Sequence, residues 1–137
     1  MNKFFILVFA LFSLTACGST STPVVKEENT PVSESTDSQK ENIVTYTDSG
    51  FSPDALTINK GATVTFKNES SSAMRPASAN HPTHTQYPTT GGCVGSTFDA
   101  CKSIEPGDTW SFKFDIAGNW GFHDHLHPEN TGEIDVR

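Results

Sequence analysis

The segment from Gly118 to Val136, GNWGFHDHLHPENTGEIDV, constrains this chain more than any other. It carries His123, His125 and His127 at every second position, with Trp120 and Phe122 at alternate ones. Successive side chains of an extended strand point to opposite faces. The aromatic pair can therefore fill a core while the histidines look out of it. Pro128 and Gly132 are placed to turn the chain after the strand. Neutral imidazole is the commonest metal ligand, so a strand delivering several at its end reads as a metal site.

The chain has five histidines, and the other two, His81 and His84, sit together in Asn80-His81-Pro82-Thr83-His84. Pro82 stiffens that segment, and the spacing suits one metal ion if the loop folds back. Strand parity sets His127 on the same face as His123 and His125, whereas its loop position assigns it to a different site. Asp124 reads either as a solvated aspartate or as an acceptor for an imidazole N–H. The plain alternative is that both clusters are exposed, solubilising side chains.

Strand patterns recur along the chain. Ile43-Val44-Thr45-Tyr46-Thr47 is β-branched and ends at the turn Asp48-Ser49-Gly50. Ala55 to Ile58 is followed by Asn59-Lys60-Gly61, and Thr63 to Asn68 and Trp110 to Phe114 alternate polar with apolar. Glu133 to Val136 sets Ile134 and Val136 on one face. No window holds a helical period, so short strands with turns between them predict an all-β sandwich. Trp110, Phe112, Phe114, Trp120 and Phe122 are its expected core. The stretch from Glu69 to Ile104 breaks the rhythm, and a loop of that length in a compact domain is usually functional. It contains Met74, both loop histidines, Cys93 and Cys101, with Tyr87 and Phe98 as candidate anchors.

Ahead of the sandwich, Lys3 and the apolar run Phe4 to Leu14 form a targeting signal, too short to span a bilayer. It ends in Leu14-Thr15-Ala16-Cys17, which resembles the bacterial lipobox and makes Cys17 the expected lipidation site. Ordinary cleavage near Ala16 is the alternative. Residues 18–42 are Ser/Thr/Glu-rich and too poor in apolar side chains to order, so they read as a tether. The expected organisation is signal peptide and lipobox over 1–17, tether over 18–42 and sandwich domain over 43–137. The protein is then expected on the periplasmic or extracellular face of the cell envelope, held to the membrane by its lipid. Export meets an oxidising compartment, where Cys93 and Cys101 are expected to form a disulfide; a thiolate metal site is the rival reading. A formal net charge of −7 with no basic run argues against a nucleic-acid partner.

Taken together, these segments resemble a cupredoxin, the small copper-binding Greek-key sandwich of plastocyanin and amicyanin. The resemblance rests on Phe51-Ser52-Pro53, Leu56-Thr57-Ile58, Gly61, Val64-Thr65-Phe66 and Asn68 in the first half. In the second half it rests on aromatic-x-aromatic, a loop with His127-Pro128, and Gly132-x-Ile134-x-Val136. It implies copper as the cofactor, yet the sequence departs from the blue-copper ligand set of two histidines, a cysteine and a methionine. The cysteine position falls on Asp124, the methionine on Asn130 and the first histidine on Met74, leaving only His127 matched. Without a thiolate, a blue centre and its fast electron transfer are not expected. Trp120-x-Phe122-His123-Asp124-His125 is also similar to the His-x-His element of multicopper oxidases, which are built from the same domains. That likeness implies a metal role for His123 and His125, and not the multi-domain oxidase reaction.

The sequence thus reads as a membrane-tethered copper protein with a histidine-rich, non-blue site drawn from His81, His84, His123, His125, His127 and Met74. Met74 reads first as a core filler, while as a ligand its thioether would favour Cu(I). Copper capture, delivery to an acceptor protein, or resistance is the expected role. The alternatives are a redox enzyme with a type-2-like copper centre, an electron-transfer cupredoxin, and a metal-free scaffold. No Ser/His/Asp arrangement and no phosphate-binding loop marks the chain as an enzyme.

Overall fold

The computed structural model describes residues 41–137. The signal segment, Cys17 and the tether up to residue 40 lie outside the described residues. The described chain forms eight strands and no helix. β1 (Ile43–Thr47), β2 (Gly50–Ser52), β4 (Thr63–Asn68) and β6 (Thr109–Lys113) make one sheet, in the order β2-β1-β4-β6. β3 (Ala55–Ile58), β5 (Pro76–Ser78), β7 (Gly118–Asp124) and β8 (Thr131–Val136) make the other, in the order β3-β8-β7-β5. β1 pairs with β4, and β3 with β8, in parallel; the remaining pairs are antiparallel. This is the expected all-β, two-sheet sandwich.

The strands that alternate cleanly in sequence form where they are predicted, because each has one apolar face to bury against the other sheet. β2 and β5 are not foreseen; three residues are too few to show a period. β5 lies inside the stretch from Glu69 to Ile104, which is therefore not all loop. Met74 also bridges Ile104, and Ala77 bridges Asp99, so the segment is tied to itself and to β7. Gly132 does not turn the chain. It lies within β8 opposite Phe122, and a Cβ there would overlap the Phe122 ring.

The core is aromatic. Phe66, Phe98, Phe114, Phe122 and Tyr87 are all buried, while Trp110, Phe112 and Trp120 are only partly covered and pack against its edge. Tyr87 and Phe98 come from the long segment and anchor it as expected. Phe98 sits 4.9 Å from Phe114 and 6.2 Å from Phe122, and Tyr87 5.4 Å from Trp120, between ring centres. Burying each such ring is worth about 1.5–3 kcal/mol, which offsets the entropy of fixing the segment. Cys93 and Cys101, with Cα atoms 5.5 Å apart, are joined in the predicted disulfide. Neither cysteine therefore offers a thiolate.

Candidate metal centre

The site is built outward from β7. Phe122 enters the core, so by strand alternation His123 points to the outer side of its sheet. β5 pairs antiparallel with β7 and sets Ala77 directly opposite His123, where side chains share a face. Asp99 bridges Ala77 from the far side. Small Ala77 thus separates a histidine from an aspartate, leaving room above it for a third side chain. His84 occupies that room. Its Nδ1 lies 3.1 Å from Asp99 Oδ2, and its Nε2 lies 2.9 Å from His125 Nδ1.

The stretch from Asn80 to His84 folds back over β7 to bring this about. His84 N–H donates to Asn80 O, Gln86 N–H to Ala79 O, and Ala79 N–H to Gly121 O. His84 sits at φ 51°, a left-handed conformation that costs a residue with a Cβ about 1–2 kcal/mol. Non-glycine residues held in this way cluster at ligand-binding sites.

The two histidine clusters thereby become one. His81, His84, His123 and His125 place one ring nitrogen each within 4.8 Å of all the others. Ring centres lie 4.8 Å apart for His84 and His123, 4.7 Å for His84 and His125, and 5.2 Å for His81 and His125. Ligands held at about 2 Å around one ion stand roughly 3–4 Å apart. The group therefore needs only small adjustments to close on a metal. His84 and His123 are buried, His125 half-buried and His81 exposed.

His123 is the strongest sign of a ligand. It is 3 % exposed, and neither ring nitrogen has a hydrogen-bond partner. A buried polar group left unpaired costs about 1–3 kcal/mol, so an unsatisfied imidazole among three others fits a cation. Burial, and then the neighbouring His84, His81 and His125, push its pKa down from 6.5 to about 4. Burial and the Arg75 guanidinium lower that of His125 as well. Both shifts favour the neutral imidazole that a metal requires. The strand reading had His123 looking out of the core, which it does; what it missed is that the long segment covers it.

The other expected ligands lie elsewhere. β7 ends at Asp124, after which His127 N–H donates to Asp124 O and strand parity no longer applies. His127 Nδ1 stands 2.8 Å from Asp124 Oδ2, which also accepts from Tyr46 Oη at 2.9 Å. Asn130 Nδ2 donates to Tyr46 Oη, and the Arg75 and Leu126 N–H groups donate to Asp124 Oδ1. Asp124 does accept from an imidazole, but that imidazole is His127, outside the four-histidine group. Met74 is fully buried in the core, where its backbone pairs with Ile104. The positions that resemblance assigns to a blue-copper cysteine, histidine and methionine thus converge as Asp124, His127 and Asn130, tied to one another by hydrogen bonds.

Sequence reasoning did not single out Ala77, Arg75 or Asp99. The Arg75 fork grips Asp99 through Nε at 3.1 Å and Nη2 at 3.0 Å. Burial alone would raise the Asp99 pKa, but hydrogen bonds from Cys101 N–H, His84 and Arg75 outweigh it and hold the carboxyl below its usual range. An isolated aspartate in a loop leaves no periodic trace, so only the fold reveals this partner.

Fold and site together define a small, helix-free β-sandwich with a histidine group that can take a metal ion, set beside the end of a strand. Comparison agrees. Residues 4–136 match the cupredoxin-like domain family, and the chain belongs to it. Among solved structures, a purple cupredoxin from Nitrosopumilus maritimus aligns with a TM-score of 0.57 and 20% identity, over 69% of this chain and 98% of that one. A reduced Cu(I) form of an amicyanin mutant aligns with a TM-score of 0.55 and 18% identity, over 72% and 84%. An oxidised amicyanin mutant gives 0.55 and 17%, over 71% and 82%. At such identities the likeness is one of fold. No curated protein matches the chain by sequence.

Proposed function

We propose that His81, His84, His123 and His125 bind copper, and that the protein captures copper at the cell envelope for storage, delivery or resistance. The observation that carries this is His123, buried with both nitrogens unpaired beside three other imidazoles. Four neutral nitrogen donors suit copper above zinc in the general affinity order. The cupredoxin fold and the amicyanin-like neighbours, one of them a Cu(I) form, add to the reading. A lipid on Cys17 would hold the protein at the membrane, with residues 18–42 giving it reach toward a donor or acceptor.

The test is metal binding by the chain purified without an added histidine tag. It is expected to take up one copper ion per chain, more tightly than zinc, with weak ligand-field absorption in place of an intense thiolate band. Exchanging His123 and His125 together for Ala removes binding and leaves the fold intact, because Trp120 and Phe122 keep their side of the strand. His127→Ala retains it. An intense blue colour, or tight binding by the double variant, overturns the assignment.

A second reading is a redox centre acting on a small molecule. Exposed His81 favours it, since it leaves one flank of the group open to solvent. Copper-dependent turnover of O₂ or a nitrogen oxide, abolished with His123, distinguishes it from simple capture.

A further inference from the structure

Asp99 is a buried carboxylate, its side chain 0% exposed. A charge so placed is stable only when paired and fully hydrogen-bonded. Oδ1 accepts from Arg75 Nε at 3.1 Å and from Cys101 N–H at 2.7 Å. Oδ2 accepts from Arg75 Nη2 at 3.0 Å and lies 3.1 Å from His84 Nδ1. The disulfide to Cys93 holds Cys101, and the bridge to Ala77 holds the Asp99 backbone beside β5. Asp99 is therefore fixed by three independent attachments before it meets His84.

An ionised carboxylate can only accept hydrogen bonds, so His84 Nδ1 carries the proton. In the neutral ring the lone pair of His84 is then on Nε2, the atom that turns toward His125 and the remaining histidines. We propose that Asp99 is the positioning residue of the metal site, selecting Nε2 of His84 as its ligating atom and fixing the plane of the ring. It also strengthens that nitrogen as a donor by drawing on the N–H opposite. Arg75 and the disulfide loop thereby belong to the site, although neither supplies a ligand. The proposal rests on the four-histidine reading for its effect on copper, but not for its statement about the His84 tautomer.

Two measurements test it. In the metal-free wild-type chain, nitrogen NMR of the imidazoles is expected to show His84 protonated on Nδ1 and bare on Nε2. A proton on Nε2 overturns the proposal whether or not copper binds. Asp99→Asn keeps the size and lets Oδ1 accept from Cys101 and Arg75, but turns an amide N–H toward His84 Nδ1. That ring must then accept at Nδ1 and carry its proton on Nε2. The variant is expected to switch the His84 tautomer and to weaken copper binding about 10–100-fold. In a double-mutant cycle, adding Asp99→Asn to His84→Ala costs nothing further, because Asp99 acts through His84. Wild-type affinity in Asp99→Asn, or additive losses in the cycle, overturn it. If the wild-type chain binds no copper while the tautomer is as stated, the copper reading fails and the positioning of His84 stands. Should Asp99→Asn not fold, the wild-type tautomer still decides.

Discussion

His123 shows what one buried side chain can impose on the rest. A set of free imidazoles would release copper as pH falls through about 6.5. With the pKa of His123 pushed down to about 4, proton competition at its ring is expected to begin only well below neutrality. The same shift has a cost in the metal-free protein. Between pH 6.5 and 4 the unfolded chain binds a proton at His123 that the folded chain refuses, so stability rises with pH across that window. Denaturant melts of the metal-free chain are expected to show stability falling from pH 6.5 toward 4 and then levelling off this contribution. His123→Ala is expected to flatten that slope; an unchanged slope means another group causes it. Tyr46 behaves in the opposite sense. Burial, and then its bond to Asp124, raise its pKa to about 12, so its contribution is whole below pH 10 and fades as pH climbs through 12.

Among the elements, β5 decides the geometry although it is only three residues long. Its Ala77 leaves the space that His84 fills between His123 and Asp99. Ala77→Leu is predicted to push His84 off the group without removing any ligand. Overpacking of about 1–3 kcal/mol falling on the ligands weakens copper binding by roughly tenfold or more, as titration calorimetry can check. Undiminished affinity would mean that His84 reaches the ion by another path. The disulfide acts on the neighbouring segment. Its separation of 8 residues closes a short loop, so removing it with Cys93→Ala and Cys101→Ala is expected to cost about 2–3 kcal/mol in a chemical melt. Because Cys101 N–H holds Asp99, the same pair of changes is also expected to lower copper affinity.

At the scale of the whole molecule, the two sheets of residues 41–137 form the base that carries the site. Anchoring is predicted from Leu14 to Cys17, and Cys17→Ala is expected to abolish incorporation of labelled fatty acid and shift the protein out of the membrane fraction. Labelling that persists in the variant would place the lipid elsewhere or remove it from the account. Whole-cell copper tolerance, expected to fall in the same variant, is the matching physiological readout of the proposed capture role.

The strands and the core face were legible in the sequence because burial of a sandwich face imposes a period of two. Thr63 to Asn68 and Gly118 to Asp124 each carry that pattern locally. The same rule put His123 on the side away from Phe122, and the pairing of Cys93 with Cys101 followed from the expectation of export, with those two the cysteine pair left over. What the sequence could not supply was the meeting of His81 and His84 with His123 and His125, or the placing of His127 and Met74 outside that group. Those depend on where a long, aperiodic segment lies, which is fixed by Tyr87 and Phe98 entering the aromatic core and by β5 pairing with β7. Contacts between residues so far apart in the chain leave no mark in either neighbourhood. Only closing the sheet brings Asp99 to His84 and determines which histidines come together.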